Sequence, residues 1–210
     1  MQTENSHPDT YAATAHRMFF KNLMAGKPPQ ECPDNDGHNV DAIDALTITV
    51  PVILKYSDAT AEERNKKVME AIRVLRNVKT VERFAIAFSD ILVKVLHGGD
   101  LQNSTNEVAQ KLGMRDLGDL VSKQSGDPMV ACYIESSFPA LLFMVYKYAS
   151  SVEGAVLANA NAGGENVARG SLLGALLGAA HWIGGFPAWA VDGLEDREAI
   201  VKEIKEFIKE

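Results

Sequence analysis

An all-α fold is predicted for this chain, and three observations predict it. Apolar residues recur at steps of three and four through most of the long segments. No stretch alternates strictly for long enough to argue for a sheet. The breaks between segments are short and polar. With 210 residues and 46% hydrophobic content, the chain has enough material for one domain with a sizeable core, and disorder is excluded. The expectation is one compact domain over residues 1–210, built from about nine to eleven helices.

Taken in order, Tyr11–Ala25 reads as a helix, stopped by Gly26 and Pro28. His7-Pro8-Asp9-Thr10-Tyr11 suits its start, and His16 lies within it. Ala42, Ala45, Leu46 and Thr49 keep a helical step, so the β-branched run around them is assigned to a helix kinked at Pro51. Ala61–Val78 places Val68, Ala71, Ile72, Leu75 and Val78 on one face, with Thr60 and Glu63 spaced as a capping box. Val81, Phe84, Ala85, Phe88, Ile91, Leu92, Val95 and Leu96 form the clearest stripe, ended by Gly98-Gly99. Phe138–Tyr148 is nearly all apolar and is assigned to a buried helix. A small-residue helix follows Gly163-Gly164, with Gly170, Gly174 and Gly178 on one face, where a neighbouring helix can approach closely. Trp182 and Trp189 flank the next turn and are assigned to packing. Asp196–Glu210 closes the sequence with Ile200, Val201, Ile204, Phe207 and Ile208 on one face and an acid-rich first turn.

Charge and composition exclude several functions. Twenty-one Lys and Arg stand against 28 Asp and Glu, a net charge of −7. That balance argues against general affinity for nucleic acid or anionic membrane. The start lacks the basic and apolar regions of a signal peptide. The apolar run Leu172–Ala180 falls well short of the roughly 20 residues a bilayer requires, and a soluble, cytoplasmic protein is expected. Cys32 and Cys132 are too few for a disulfide scaffold and lack a Cys-x-x-Cys partner. No Gly-x-Ser-x-Gly elbow and no phosphate-binding glycine loop of the P-loop kind is present.

Two stretches carry candidate chemistry. Asp34, Asp36, His38, Asp41 and Asp44 form the densest polar cluster. Asp41 and Asp44 are three apart on the expected helix and can face one ligand, and His38 can act as acid, base or contact. Capped turns use the same residue types, so both roles stay open. The second stretch is Gly163-Gly164-Glu165-Asn166-Val167-Ala168-Arg169-Gly170. A glycine turn opening a helix directs backbone N–H groups at an anion. Glu165 in that turn is either a hard-cation ligand or a first-turn acid favoured by the helix dipole.

This second stretch resembles the C-terminal signature of the ADP-ribosylglycohydrolase family. The signature runs Gly-Gly-Asp-x-Asp-Thr, then a Gly-Ala-x-x-Gly-Ala helix, then a Pro-x-x-Trp turn. Here the matching residues are Gly163-Gly164-Glu165-Asn166-Val167-Ala168, Gly174-Ala175 with Gly178-Ala179, and Phe186-Pro187-Ala188-Trp189. Ser137–Tyr148, Glu153–Asn159, Asp34–Asp44 and His16–Phe20 are similar to the crystallin J1-like branch of that family. The resemblance implies a single compact orthogonal helical domain that hydrolyses ADP-ribosyl linkages with magnesium. It implies an ADP-ribose-like small molecule or an ADP-ribosylated protein as partner. Asp36, His38, Asp41, Gly163, Gly164 and Asn166 become substrate-binding candidates, and Glu165 the metal-ligand candidate. Val167 and Ala168 stand where the family has its second Asp and its Thr, and neither offers an oxygen ligand. The family's opening Gly-Asp-Ala-Leu-Gly-type helix and Thr-Asp-Asp-Thr motif have no counterpart, so an N-terminally incomplete domain is expected. The resulting expectation is a hydrolase-family protein with a degenerate magnesium site and weak or absent activity. The alternative is a non-catalytic, crystallin-like structural or ligand-binding protein on the same fold.

Overall fold

The computed structural model describes residues 12–33 and 41–209. Among these, eleven α-helices and three short 3-10 segments occur, with no strand beyond one isolated bridge. The helices are α1 (Thr14–Met24), α2 (Thr49–Lys55), α3 (Ala61–Arg73), α4 (Lys79–Leu96), α5 (Leu101–Lys111), α6 (Leu117–Lys123), α7 (Ile134–Lys147), α8 (Val152–Ala162), α9 (Asn166–His181), α10 (Ala188–Asp192) and α11 (Arg197–Lys209). The all-α class predicted from periodicity is the class observed.

Three helices make the centre. On α4 the stripe Val81, Phe84, Phe88, Ile91, Leu92 and Val95 is buried along its whole length. On α7 the buried run from Ala140 to Val145 is continuous, as a helix surrounded on all sides requires. On α9 Leu172, Leu173, Leu176 and Leu177 are fully buried. The three pack on one another pairwise. Each such leucine removed from water is worth about 1.5–3 kcal/mol. Around them, α8 lies along α9, α5 and α6 cover α7, and α2 and α3 lie against α4. The N-termini of α3, α5, α6 and α8 are capped by Thr60, Asp100, Asp116 and Ser151, each accepting a backbone N–H.

The structure corrects several sequence expectations. The helix expected through Ala42 and kinked at Pro51 is broken instead: Ile43–Leu46 is a 3-10 turn, and α2 starts only at Thr49. Pro51 therefore falls in the first turn of α2, where its missing N–H costs nothing and no kink is needed. The α3 helix stops at Arg73 rather than Val78, because the chain turns there and brings Arg76 inward, 2% exposed. Helix α7 begins four residues before Phe138 and carries Pro139 in its interior. Trp182 and Trp189 are not packed: they are 69% and 53% exposed, and Trp189 donates its indole N–H to Glu153 at 2.9 Å. Helix α11 forms as expected, but Ile204 and Ile208 on its apolar face stay exposed. Of the three spaced glycines, only Gly170 is needed for close approach to α8. A Cβ there would stand 2.8 Å from the Asn159 Nδ2, whereas Gly174 has open space and Gly178 ordinary contact with Phe186. Among the described residues no helix is long and apolar enough to cross a membrane.

Candidate functional site

The site is assembled by an irregular segment just before α7. At its head, the Asp127 carboxylate accepts from Lys147 Nζ at 2.7 Å and from the Tyr148 hydroxyl at 2.9 Å. That ion pair raises the Lys147 pKa above its ordinary value. The carbonyls of alternate residues then each hold a different piece of the molecule. Pro128 O accepts from the Arg169 guanidinium at 3.4 Å. Val130 O accepts Glu165 N–H at 2.9 Å, and Cys132 O accepts Ile43 N–H at 2.9 Å. Ile134 N–H donates back to Asp41 O, completing an antiparallel bridge between Ala42 and Tyr133. The start of α9, the chain around Asp44 and the start of α7 are thereby joined through one stretch of main chain.

The glycine turn is locked from within. Gly163 and Gly164 both have positive φ, 67° and 64°, a region open to glycine and costly for other residues. A Cβ on Gly164 would stand 2.3 Å from Val130 O, so glycine is also required by the close approach of the two backbones. Behind the turn, Arg169 is fully buried. Its guanidinium donates to Asn159 Oδ1 at 2.6 Å, to Gly163 O at 3.0 Å and to Asn159 O at 3.4 Å. Asn159 in turn donates to Asn166 O at 2.8 Å. These acceptors of the buried cation, with Pro128 O, are all neutral. Burial lowers its pKa, while the more distant Glu165 and Asp127 carboxylates oppose that shift.

The positions singled out from sequence distribute unevenly. Glu165 is the N-cap of α9, its carboxylate accepting Ala168 N–H at 3.3 Å. Gly163 and Gly164 form the turn beneath it, and their neighbouring N–H groups are taken within the chain: Gly163 by Ala160, Glu165 by Val130, Asn166 by Gly164. Asn166 leans back onto α8, its amide donating to Ala160 O at 3.3 Å. Asp41 contributes its carbonyl to the bridge with Ile134 rather than sharing a helical face with Asp44, which lies in the following 3-10 turn. Asp36 and His38 lie outside the described residues, as do Asp34 and the stretch His7–Tyr11.

These elements enclose a cavity of about 600 Å³. From α9 it receives Glu165, Val167, Ala168 and Ser171; from the other side, Asp44, Thr47 and Arg76; from the joining segment, Cys132; and from the chain near α1, Ala13 and Thr14. Arg76 grips Asp44 through both terminal nitrogens, at 2.9 and 2.7 Å. Burial raises the Cys132 thiol pKa above its ordinary value, and the Glu165, Asp44 and Asp41 carboxylates raise it further. Sequence reasoning assigns no role to Arg76, and none to Arg169 beyond its place in the glycine stretch. The spacing Asn159, Gly163, Asn166, Arg169, Gly170 carries the second of them, since all five residues interlock. For Arg76 the sequence carries no local signal.

Among the described residues, the three motif positions offer little to a pair of hard cations. Val167 and Ala168 present hydrocarbon to the cavity, leaving Glu165 as the one carboxylate among the three motif positions. Among the described residues no three His, Cys, Asp or Glu side chains converge so as to hold a metal ion. The model of the ADP-ribosylglycohydrolase family matches residues 2–210. A search of curated proteins finds no match.

Proposed function

Since the chain belongs to the ADP-ribosylglycohydrolase family, a hydrolase-like fold acting on ADP-ribosylated substrates, we propose that it receives an ADP-ribosyl group in the cavity at the start of α9. We propose further that it turns that group over weakly or not at all. One observation carries this reading. Glu165, Val167 and Ala168 occupy the three ligand positions of the family motif and all line the same cavity, yet only Glu165 brings an oxygen. The shape of the site is kept by Arg169 and the glycine turn, while the groups that would fix magnesium are replaced by side chains that cannot ligate it. In this reading Glu165 caps α9 and faces the ligand, Asp41 fixes the chain beside it, and Gly163, Gly164 and Asn166 hold the turn. Asp36 and His38 remain candidate contacts on the family resemblance.

Calorimetry with ADP-ribose, in the presence and absence of magnesium, tests the proposal. Saturable binding that changes less than about threefold with magnesium is expected, a smaller effect than a coupling of about 1 kcal/mol. Incubation with an ADP-ribosylated protein is expected to release little ADP-ribose. Rapid magnesium-dependent release would overturn the assignment of a degenerate site, and absence of ADP-ribose binding would overturn the ligand assignment.

A further inference from the structure

The cavity has a second wall that the family motif does not describe. Arg76 stands there, 2% exposed, and it also lines a smaller cavity of about 90 Å³ together with His16, Ile72 and Leu75. A guanidinium has five N–H donors. Asp44 takes two of them, one from each terminal nitrogen. The Nε–H is buried and has no hydrogen-bond partner. An unpaired donor of this kind costs about 1–3 kcal/mol, more when charged, and the residue that carries it lines both cavities, where its guanidinium can gain a further acceptor from a bound ligand.

The charge balance of the larger cavity narrows what that acceptor is. Asp44 and Glu165 bring two negative charges to its lining, and Arg76 is the one cationic side chain among the described lining residues. An ADP-ribosyl group carries a diphosphate, which needs concentrated positive charge and N–H donors. The motif positions of α9 cannot recruit that charge through bound cations, and the Gly163, Glu165 and Asn166 N–H groups of the glycine turn are taken within the chain. Arg76 remains.

We propose that Arg76 is the phosphate-recognising residue of this cavity, and that Asp44 holds its guanidinium in place while tempering its charge. The proposal rests on the ADP-ribosyl reading for the identity of the ligand. It makes a prediction of unusual sign: weakening Asp44 strengthens binding. Asp44→Asn keeps an oxygen acceptor for Arg76 and removes the competing negative charge, so anions at Arg76 bind more tightly.

The experiment is calorimetric titration of wild type, Asp44→Asn and Arg76→Gln with three probes: ADP-ribose, inorganic pyrophosphate and adenosine. Thermal melts alongside identify any variant that fails to fold. In Asp44→Asn, affinity for ADP-ribose and for pyrophosphate is expected to rise at least about fivefold, the scale of one nearby charge in a partly buried site, with adenosine unchanged. In Arg76→Gln, affinity for both phosphate-bearing probes is expected to fall at least about tenfold. Unchanged or weaker binding of ADP-ribose and pyrophosphate by folded Asp44→Asn overturns the proposal and leaves the ADP-ribosyl reading standing. Pyrophosphate binding that follows the expected pattern in a wild type that does not bind ADP-ribose supports the anion site and overturns the ADP-ribosyl reading.

Discussion

The two walls of the cavity are built on opposite principles. On the α9 wall, Arg169 is buried among neutral oxygens of Asn159, Gly163 and Pro128, and the turn in front of it uses the Gly163, Glu165 and Asn166 N–H groups internally. On the facing wall, Arg76 is buried against a carboxylate and keeps an unpaired Nε–H beside a void. The first arrangement is closed and serves shape. The second is incomplete until something binds. One protein thus uses the same side chain twice, once as a clamp and once as a receptor, and the partners of the guanidinium distinguish the two uses.

The largest test of this contrast removes the clamp. Arg169→Met would leave Asn159 Oδ1 and Gly163 O buried without their donor, and a loss of about 3 kcal/mol or more is expected, measured by urea unfolding. A loss below about 1 kcal/mol would show that the α9 wall does not depend on Arg169. Next is Gly164→Ala. Its Cβ would press on Val130 O at a positive φ, and a cost of about 2–3 kcal/mol is expected, again from urea unfolding. On the opposite wall Asp44→Asn should cost less, about 1–2 kcal/mol, because Asp44 is one-third exposed and Asn still accepts from Arg76. If Asp44→Asn destabilises more than Arg169→Met, the assignment of clamp and receptor is reversed. Gly174→Ala, in the same helix as the clamp but facing open space, is expected to stabilise by about 0.5–1 kcal/mol.

The smallest effect is chemical. The Cys132 thiol pKa is raised above its ordinary value, first by burial and then by Glu165. A thiol with a raised pKa holds less thiolate near neutral pH. Alkylation of Cys132 by iodoacetamide between about pH 7 and 9 is therefore expected to lag behind a model thiol. Glu165→Gln removes one of the raising charges and should speed the reaction. An unchanged rate would mean that the acidic field of the cavity does not reach Cys132.

Much of the helical body was legible because its causes are local. The α4 stripe, the Thr60 cap and the helix after Gly163-Gly164 each follow from residues within a few positions of one another. The close approach at Gly170 was legible in part: the spacing marks the face, but only the position of Asn159 shows which glycine matters. The end of α3 was misplaced because Leu75 and Val78 continue the apolar stripe, whereas the chain turns to bring Arg76 onto Asp44, a partner 32 positions away. The exposure of Trp182 and Trp189 was likewise hidden, since an aromatic beside a glycine-proline turn reads the same whether it is packed or not. Within the site, the motif positions located the cavity, and the second wall was left unseen.

The segment from Asp127 to Cys132 has one more consequence. It fastens Arg169, Glu165 and Ile43 through carbonyl oxygens, and every amino acid carries one of those. Beyond the Asp127 carboxylate, its grip is therefore blind to side-chain identity and sensitive to chain length. Substitutions at Met129 or Ala131 should pass almost unnoticed, while deletion of a single residue there would put every carbonyl out of step with its donor. The fold reads the length of this stretch more closely than its letters.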